Sequence, residues 1–335
     1  MQSKDPQEPQ TNKDPGMEEA NKRDLSTGVG EAVAQLSLNP STGSTIRGTP
    51  SSALPAESEK TKNSVVRQPS LLSALRSSPD VPQKDLKRCL SMCTSLSLAD
   101  QDRAIWIMQS PRLLEWLNAP RSLTLLINGN GESNDMFSST TLLSAKLLEC
   151  LGQTGRIISH HFFCSLHTSS SASSKDDATG LVKSFVCQLL TRDMSWDLSF
   201  LSQKHLEEIG SGDLETTCML FRKLVQQMPN KTFLFWVVDG INYYERSQWR
   251  PDFLKVIPEL LEIIRGCNDV IIKLLLTCHG KSSFVKDALE KDDILTAPFD
   301  VGGCRQGWSE RTFQRTIGPE IEKLKAATQN IGTMG

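Results

Sequence analysis

Residues 123–146 read LTLLINGNGESNDMFSSTTLLSAK. An apolar run ends in Asn128, Gly129, Asn130 and Gly131, and four hydroxyl residues, Ser138 to Thr141, precede a helical pattern. This is the layout of a phosphate-cradling loop. Glycines let the backbone close around an anion, and the amides at a helix N-terminus face it. A working loop adds a lysine for the terminal phosphates and a Ser/Thr hydroxyl for magnesium, in the order Gly-Lys-Ser/Thr. No such triplet occurs here. Lys146 lies about one and a half turns inside the helix, too deep for that role. Glu132 and Asp135 add negative charge where a triphosphate needs the opposite. The residues left to touch nucleotide are Asn128, Gly129, Asn130, Gly131, Ser139 and Thr140.

A second stretch, FLFWVVDGINYYE, is a buried-strand pattern that ends in an acid. An acid there orients magnesium through a water, which makes Asp239 the metal candidate. Glu245 is the candidate for polarising a water, though it lies far along the chain for a catalytic acid. The plainer alternative is that Asp239-Gly240 only makes the turn that ends the strand. HHFFCSLH gathers His160, His161 and His167 around Cys164. A metal set of His161, Cys164 and His167 requires residues that strand alternation places on opposite faces. Cys164 with His167, or Cys278 with His279, would make a thiol nucleophile, but no orienting acid accompanies either pair. INYYERSQWR offers Tyr243, Tyr244, Arg246, Trp249 and Arg250, a composition suited to a protein-partner surface or to packing at the sheet rim. The 165–178 loop is the other candidate partner surface. Ser70 follows Arg67 by three residues, a basophilic-kinase pattern that also occurs by accident in polar tails.

These residues need a framework. Residues 1–84 are rich in Ser, Pro, Thr, Gln, Lys and Glu and bury too little apolar area to offset chain entropy, so a disordered tail is expected. Within it, VVRQPSLLSALRSS could form a transient helix or docking motif. A helical lead-in follows over 85–120. Cys89 and Cys93 share its first helical face, and helices break at Ser110-Pro111. From 121 to 335 strands alternate with helices. The strands are LTLLIN, RIISHHFFC, KTFLFWVVDG, DVIIKLLLTC and DILTAPFDV; SSFVKDALEK reads as one of the helices. Continuous apolar strands between helices predict a five-stranded, mostly parallel sheet with helices on both faces. Ligands of such sheets bind beyond the carboxyl ends of the strands, here at Asn128, Cys164, Asp239 and Thr277.

A net charge of −2 gives no reason to expect nucleic-acid or anionic-membrane binding. The N-terminus has no signal-peptide core, and no apolar run approaches a membrane span. Nine cysteines, with no CxxC pair, fit buried thiols in a reducing compartment. The expectation is an intracellular chain, cytoplasmic in preference to nuclear.

The sequence DQDRAIWIMQSPRLLEWL, then HHFFCSLH, LVKSFVCQLL, FLFWVVDGIN and KLLLTCHGKS, resembles the NACHT-related, STAND-class P-loop NTPase domains of fungi over roughly residues 88–310. That resemblance implies a P-loop NTPase fold, with ATP or GTP and magnesium at the two motifs. It also shows departures. The family's lysine and following hydroxyl are missing, the second acid of its DGhDE motif is Asn242, and Thr277 or His279 stands where strand four should end in a polar residue. Winged-helix and repeat modules are absent, as in a stand-alone or truncated relative. Each charge-assisted hydrogen bond lost with the lysine is worth about 1.5–3 kcal/mol. The expectation is a non-catalytic scaffold or binding module with degenerate phosphate motifs. The alternative is an ATP- or GTP-dependent switch with a divergent loop and weak triphosphatase activity. A metal or thiol hydrolase is a third class.

Overall fold

The computed structural model describes residues 66–131, 136–152, 157–168, 178–246, 248–301 and 307–330. The expected disordered segment therefore lies outside the described residues up to position 65, as does most of the 165–178 loop.

Packing begins earlier than the sequence suggests. Helix α1 spans Gln68–Leu75, and Leu71 and Leu75 insert into the core. Burying two leucines is worth roughly 1.5–3 kcal/mol each, enough to hold a short helix that would not persist alone. The stretch expected as a transient helix or docking motif is thus a docked helix, with Leu72 and Ala74 packed beside the two leucines. Helix α2 (Val81–Met92) follows, then α3 (Leu98–Met108) and α4 (Pro111–Asn118). Ser97 caps α3 by accepting the Asp100 amide, and Pro111 starts α4 after a break at Ser110.

The α/β core then runs β1 (Leu123–Asn128), α5 (Ser139–Gly152), β2 (Ile157–Phe163), α6 (Ala178–Leu190), α7 (Gln203–Ser211), α8 (Leu214–Val225), β3 (Phe233–Asp239), α9 (Arg250–Gly266), β4 (Ile271–Cys278) and β5 (Ile294–Thr296). Helices α10 (Glu310–Thr316) and α11 (Gly318–Asn330) close it. The strand order is β2-β3-β4-β1-β5 and every pairing is parallel. All seven residues of β3 are buried, as an interior strand covered on both faces requires.

Strand alternation divides the core into two layers. Leu126, Leu234, Trp236, Val238, Leu274 and Leu276 face α1, α6, α7, α8 and α9. Leu125, Ile127, Phe235, Val237 and Leu275 face α2, α3, α4, α5, α10 and α11. Trp236 sits tilted 5.0 Å from Phe221 in the first layer, and Trp116 meets Phe235 edge-on at 5.8 Å in the second.

Two expected elements differ. The segment 282–291 is not a continuous helix but short 3-10 turns at Val285–Ala288 and Lys291–Asp293. The cause is Glu245, whose carboxylate gathers the amides of Ser283, Phe284 and Val285 at 2.8–3.0 Å and bends the chain around itself. The last strand is shorter than 293–301, and Pro298 accounts for its early end.

β2 is an edge strand, and its outer side is not bare. Gln188 of α6 accepts the His161 amide at 3.1 Å and donates to the His161 carbonyl at 3.0 Å. His161 Nε2 donates to the Pro82 carbonyl at 2.8 Å, and His167 pairs with Asp85 at 2.8 Å while stacking on Phe162. The two histidines thus fasten α2 to β2. Neither is placed as a metal ligand. No helix among the described residues is long and apolar enough to cross a membrane.

Candidate functional site

From β1 the chain runs to β2 on one side of the sheet, and from β4 it runs to β5 on the other. The switch point therefore lies between β1 and β4, and the loops beyond their carboxyl ends form the crevice where ligands of such sheets bind. Asn128 to Gly131 sit there, facing Cys278, His279 and Gly280.

The loop is tied down on both sides. The amides of Gly129, Asn130 and Gly131 donate to the carbonyls of Cys278, Gly280 and His279 at 2.8, 3.0 and 3.0 Å. Approach is so close that a Cβ on Gly129 would stand 2.7 Å from the His279 carbonyl oxygen. On the opposite side the buried Arg103 guanidinium donates to the carbonyls of Gly129, Asn130 and Pro298 at 3.1 Å each, and to Phe299 at 3.3 Å. Side chains complete the tie. Asn128 accepts the Ser282 amide at 2.9 Å and donates to Thr296 at 3.1 Å, and Asn130 donates to the Ala297 carbonyl at 3.1 Å. These three amides, which could otherwise cradle an anion, are spent on backbone carbonyls.

Asp239 ends β3 with no exposed surface. Its carboxylate accepts the hydroxyls of Thr141 at 2.8 Å, Ser144 at 3.3 Å and Thr277 in a short bond. Thr277 in turn accepts the Gly240 amide at 3.3 Å, and Gly240 turns the chain at φ +74°. Burial raises the Asp239 pKa above the usual carboxylate value, and the three hydroxyls pull the other way. Cys164, held in a 3-10 turn at the end of β2, is also fully buried, and its thiol is pushed well up by burial, with the Asp239 charge adding. Such a thiol is a poor nucleophile.

Of the four hydroxyl residues that open α5, Thr141 is the one that bonds the strand-ending acid. Thr140 is buried and its hydroxyl bonds that of Ser138 at 2.9 Å, and the Ser138 oxygen accepts the Thr141 amide to cap α5. Ser139 is buried with no partner for its hydroxyl among the described residues. Neither Ser139 nor Thr140 reaches Asp239. Lys146 pairs with Glu149 at 2.9 Å and with Glu310 of α10 at 3.2 Å, on the far side of α5's first turn.

The residues do not fit a magnesium–triphosphate. The acid is enclosed by hydroxyls, and Lys146 pairs with Glu149 and Glu310. Glu245 is buried and hydrogen-bonded by the chain that follows β4. Its Oε1 accepts from Ser282, Phe284 and Val285, and its Oε2 from Ser283. Asn242, at the position of the second acid, accepts the His279 amide at 3.2 Å. Tyr243 and Tyr244 are buried rather than presented to a partner, and Tyr244 packs on Phe162, Trp249 and Phe253. Arg246 lies 5.0 Å over Tyr243, and Arg250 lies 4.7 Å over Phe284. Rim packing thus takes up the two tyrosines, while Trp249 and Arg250 are half-buried and Arg246 is exposed. His160 is wholly buried against Phe185, and burial, with the Arg192 charge adding, drives its pKa down to about 3. Among the described residues no group of three His, Cys, Asp or Glu could hold a metal ion.

Ser144 and Arg103 complete the site although the motifs did not name them. Ser144 was accessible, since it lies three residues after Thr141 on the same helix face. Arg103 offered only a lone cation in an apolar helix.

The Asp239 pocket gives a direct test. A raised carboxyl pKa means that stability declines as pH climbs from the unfolded value of 3.8 through the raised folded value. Asp239→Asn removes that dependence and keeps acceptor and donor for the hydroxyls, so its unfolding midpoint at pH 7 should equal or exceed the parent's. Asp239→Ala strands three buried hydroxyls and should cost about 2–3 kcal/mol. Urea unfolding of the three proteins at pH 5 and pH 7 measures both effects.

Fold and site together define a five-stranded, all-parallel α/β domain with its crevice between the first and fourth strands. The family model for nephrocystin 3, N-terminal, matches residues 103–279, just over half of the chain. The chain belongs to that family, a NACHT-like region. The matched segment runs from Arg103 to His279, the two residues that flank the tied loop. No curated protein and no solved structure matches the chain.

Proposed function

We propose that this domain is a non-catalytic, P-loop NTPase-like scaffold or binding module that serves a protein partner, with both phosphate motifs degenerate. One observation carries the reading: Asp239, the acid that would position magnesium, is enclosed by Thr141, Ser144 and Thr277 instead of opening to the crevice. The committed amides of Gly129, Asn130 and Gly131 support it. A scaffold needs the sheet and its helices to be rigid, and the same bonds that close the crevice serve rigidity.

A second reading has one observation in its favour. The contact between Thr141 and Asp239 is the hydroxyl–acid pair that holds magnesium in P-loop proteins. An ATP- or GTP-dependent switch would use it after the loop rearranged.

Thermal unfolding of the full chain with magnesium and ATP, ADP, GTP or GDP separates the two. The scaffold reading expects no shift at millimolar nucleotide. A rise of several degrees with one nucleotide, lost in Asp239→Ala, would establish the switch instead.

A further inference from the structure

Ser70 follows Arg67 by three residues, and both are exposed. They line one open groove between α1 and α7, together with Ser73, Arg76 and Glu207. The helix they belong to is docked, with Pro69 in its first turn but no side-chain cap. Leu71 and Leu75 are buried, and Gln68 donates to the Leu190 carbonyl of α6 at 2.6 Å. Yet its N-cap is Arg67, which makes no side-chain cap bond, and its first turn has no acidic residue. A negative group in that turn is what the helix dipole favours and what this sequence omits.

We propose that Ser70 is the acceptor for a protein kinase that reads Arg67, and that the phosphate tightens α1 onto α6 and α7. In the step, Ser70 Oγ attacks the γ-phosphorus of a nucleoside triphosphate held by the kinase. The new O–P bond forms as the β–γ bridging bond breaks. Nucleoside diphosphate departs, and the hydroxyl proton passes to the kinase's base. The phosphoserine brings a charge of about −1.5 to −2 to the third residue of α1, within one turn of Arg67. Glu207 across the groove opposes it, but the phosphate is tethered to the helix whose amides and arginine it meets. Neighbouring serines lack the same recognition. Ser73, Ser77 and Ser78 have Ser70, Ala74 and Leu75 three residues before them, and the Ser78 hydroxyl is engaged by Asp80.

The test uses the full chain, magnesium–ATP and a panel of kinases that require arginine at this spacing, with sites mapped by mass spectrometry. Phosphate should accumulate at Ser70, not at Ser73, Ser77 or Ser78. Arg67→Ala, an exposed change, should slow it roughly tenfold, as loss of one charge-assisted contact predicts. Amide exchange over 71–75 should then slow about two- to fivefold in the phosphorylated chain. No phosphate on Ser70 with any kinase of the panel, an unchanged rate in Arg67→Ala, or faster exchange after phosphorylation would each overturn the proposal.

Discussion

Between pH 6 and pH 8.5 one side chain, Lys273, should add about 2 kcal/mol to the stability of this domain. Lys273 lies in β4 with no exposed surface and donates to the Trp116 and Ala119 carbonyls at 2.7 and 2.6 Å. Those carbonyls end α4, where a helix dipole favours a cation. No carboxylate pairs with the amine among the described residues. Burial, with the nearby Arg121 charge adding, lowers its pKa from 10.5 to about 7. The unfolded chain therefore holds this proton up to pH 10.5, whereas the folded chain releases it near pH 7. The penalty for burying the charge is full below pH 7 and fades as pH rises through the window between the two values. Above pH 9 the signal is confounded, because buried thiols such as Cys218 and Cys278, pushed up to about 12, work in the opposite direction. Lys273→Met fills the site without titrating. Urea unfolding of both proteins across pH 6–8.5 should give curves whose difference changes by about 2 kcal/mol. Parallel curves would show that the amine stays charged when buried.

Arg103→Met should cost about 3 kcal/mol or more, a large effect for a residue outside the sheet. The guanidinium is the common donor to two loops, the one after β1 and the one after β5. Its removal unpairs the buried Gly129 carbonyl and the part-buried carbonyls of Asn130, Pro298 and Phe299. Arg103→Lys should recover only part of the loss, because an ammonium is a point donor and cannot span four carbonyls as a planar fork does. Chemical unfolding gives the cost. Amide exchange at Gly129 to Gly131 should rise in Arg103→Met while exchange at the centre of β3 changes only with global stability. A cost under about 1 kcal/mol would mean that water replaces the guanidinium readily.

Much of this fold is legible in the chain because apolar runs of six to eight residues have few other uses. LTLLIN and FLFWVVD lie within the expected strands almost residue for residue. β4 was readable despite Lys273, since the residues around it are continuously apolar. Helix α1 was legible only as a transient helix or docking motif in VVRQPSLLSALRSS, because eight residues with two buried leucines do not show locally that they dock on α6 and α7. The turns at 285–293 were not legible. SSFVKDALEK has helical character, and the carboxylate that overrides it comes from Glu245, some forty residues away in sequence. The site divides along the same line. Asp239 at the end of β3 and the hydroxyls opening α5 follow from strand ends and helix starts, which are local. The enclosure of Asp239, the spending of the Gly129–Gly131 amides and the engagement of Glu245 depend on which loops meet, and no local pattern records that.

The amide of Gln188 has a consequence for copies of this chain that meet one another. An edge strand displays unpaired donors and acceptors, and a second molecule can add a strand to it and begin an aggregate. Gln188 occupies both backbone groups of His161 and so stands in for the missing neighbour. At the other edge, β5 is three residues long, too short a template for lasting addition. Each margin of the sheet is thus guarded by a different device, one a side chain that imitates a strand and the other brevity. A second copy adding a strand then has to displace Gln188 at β2 or make do with three residues at β5.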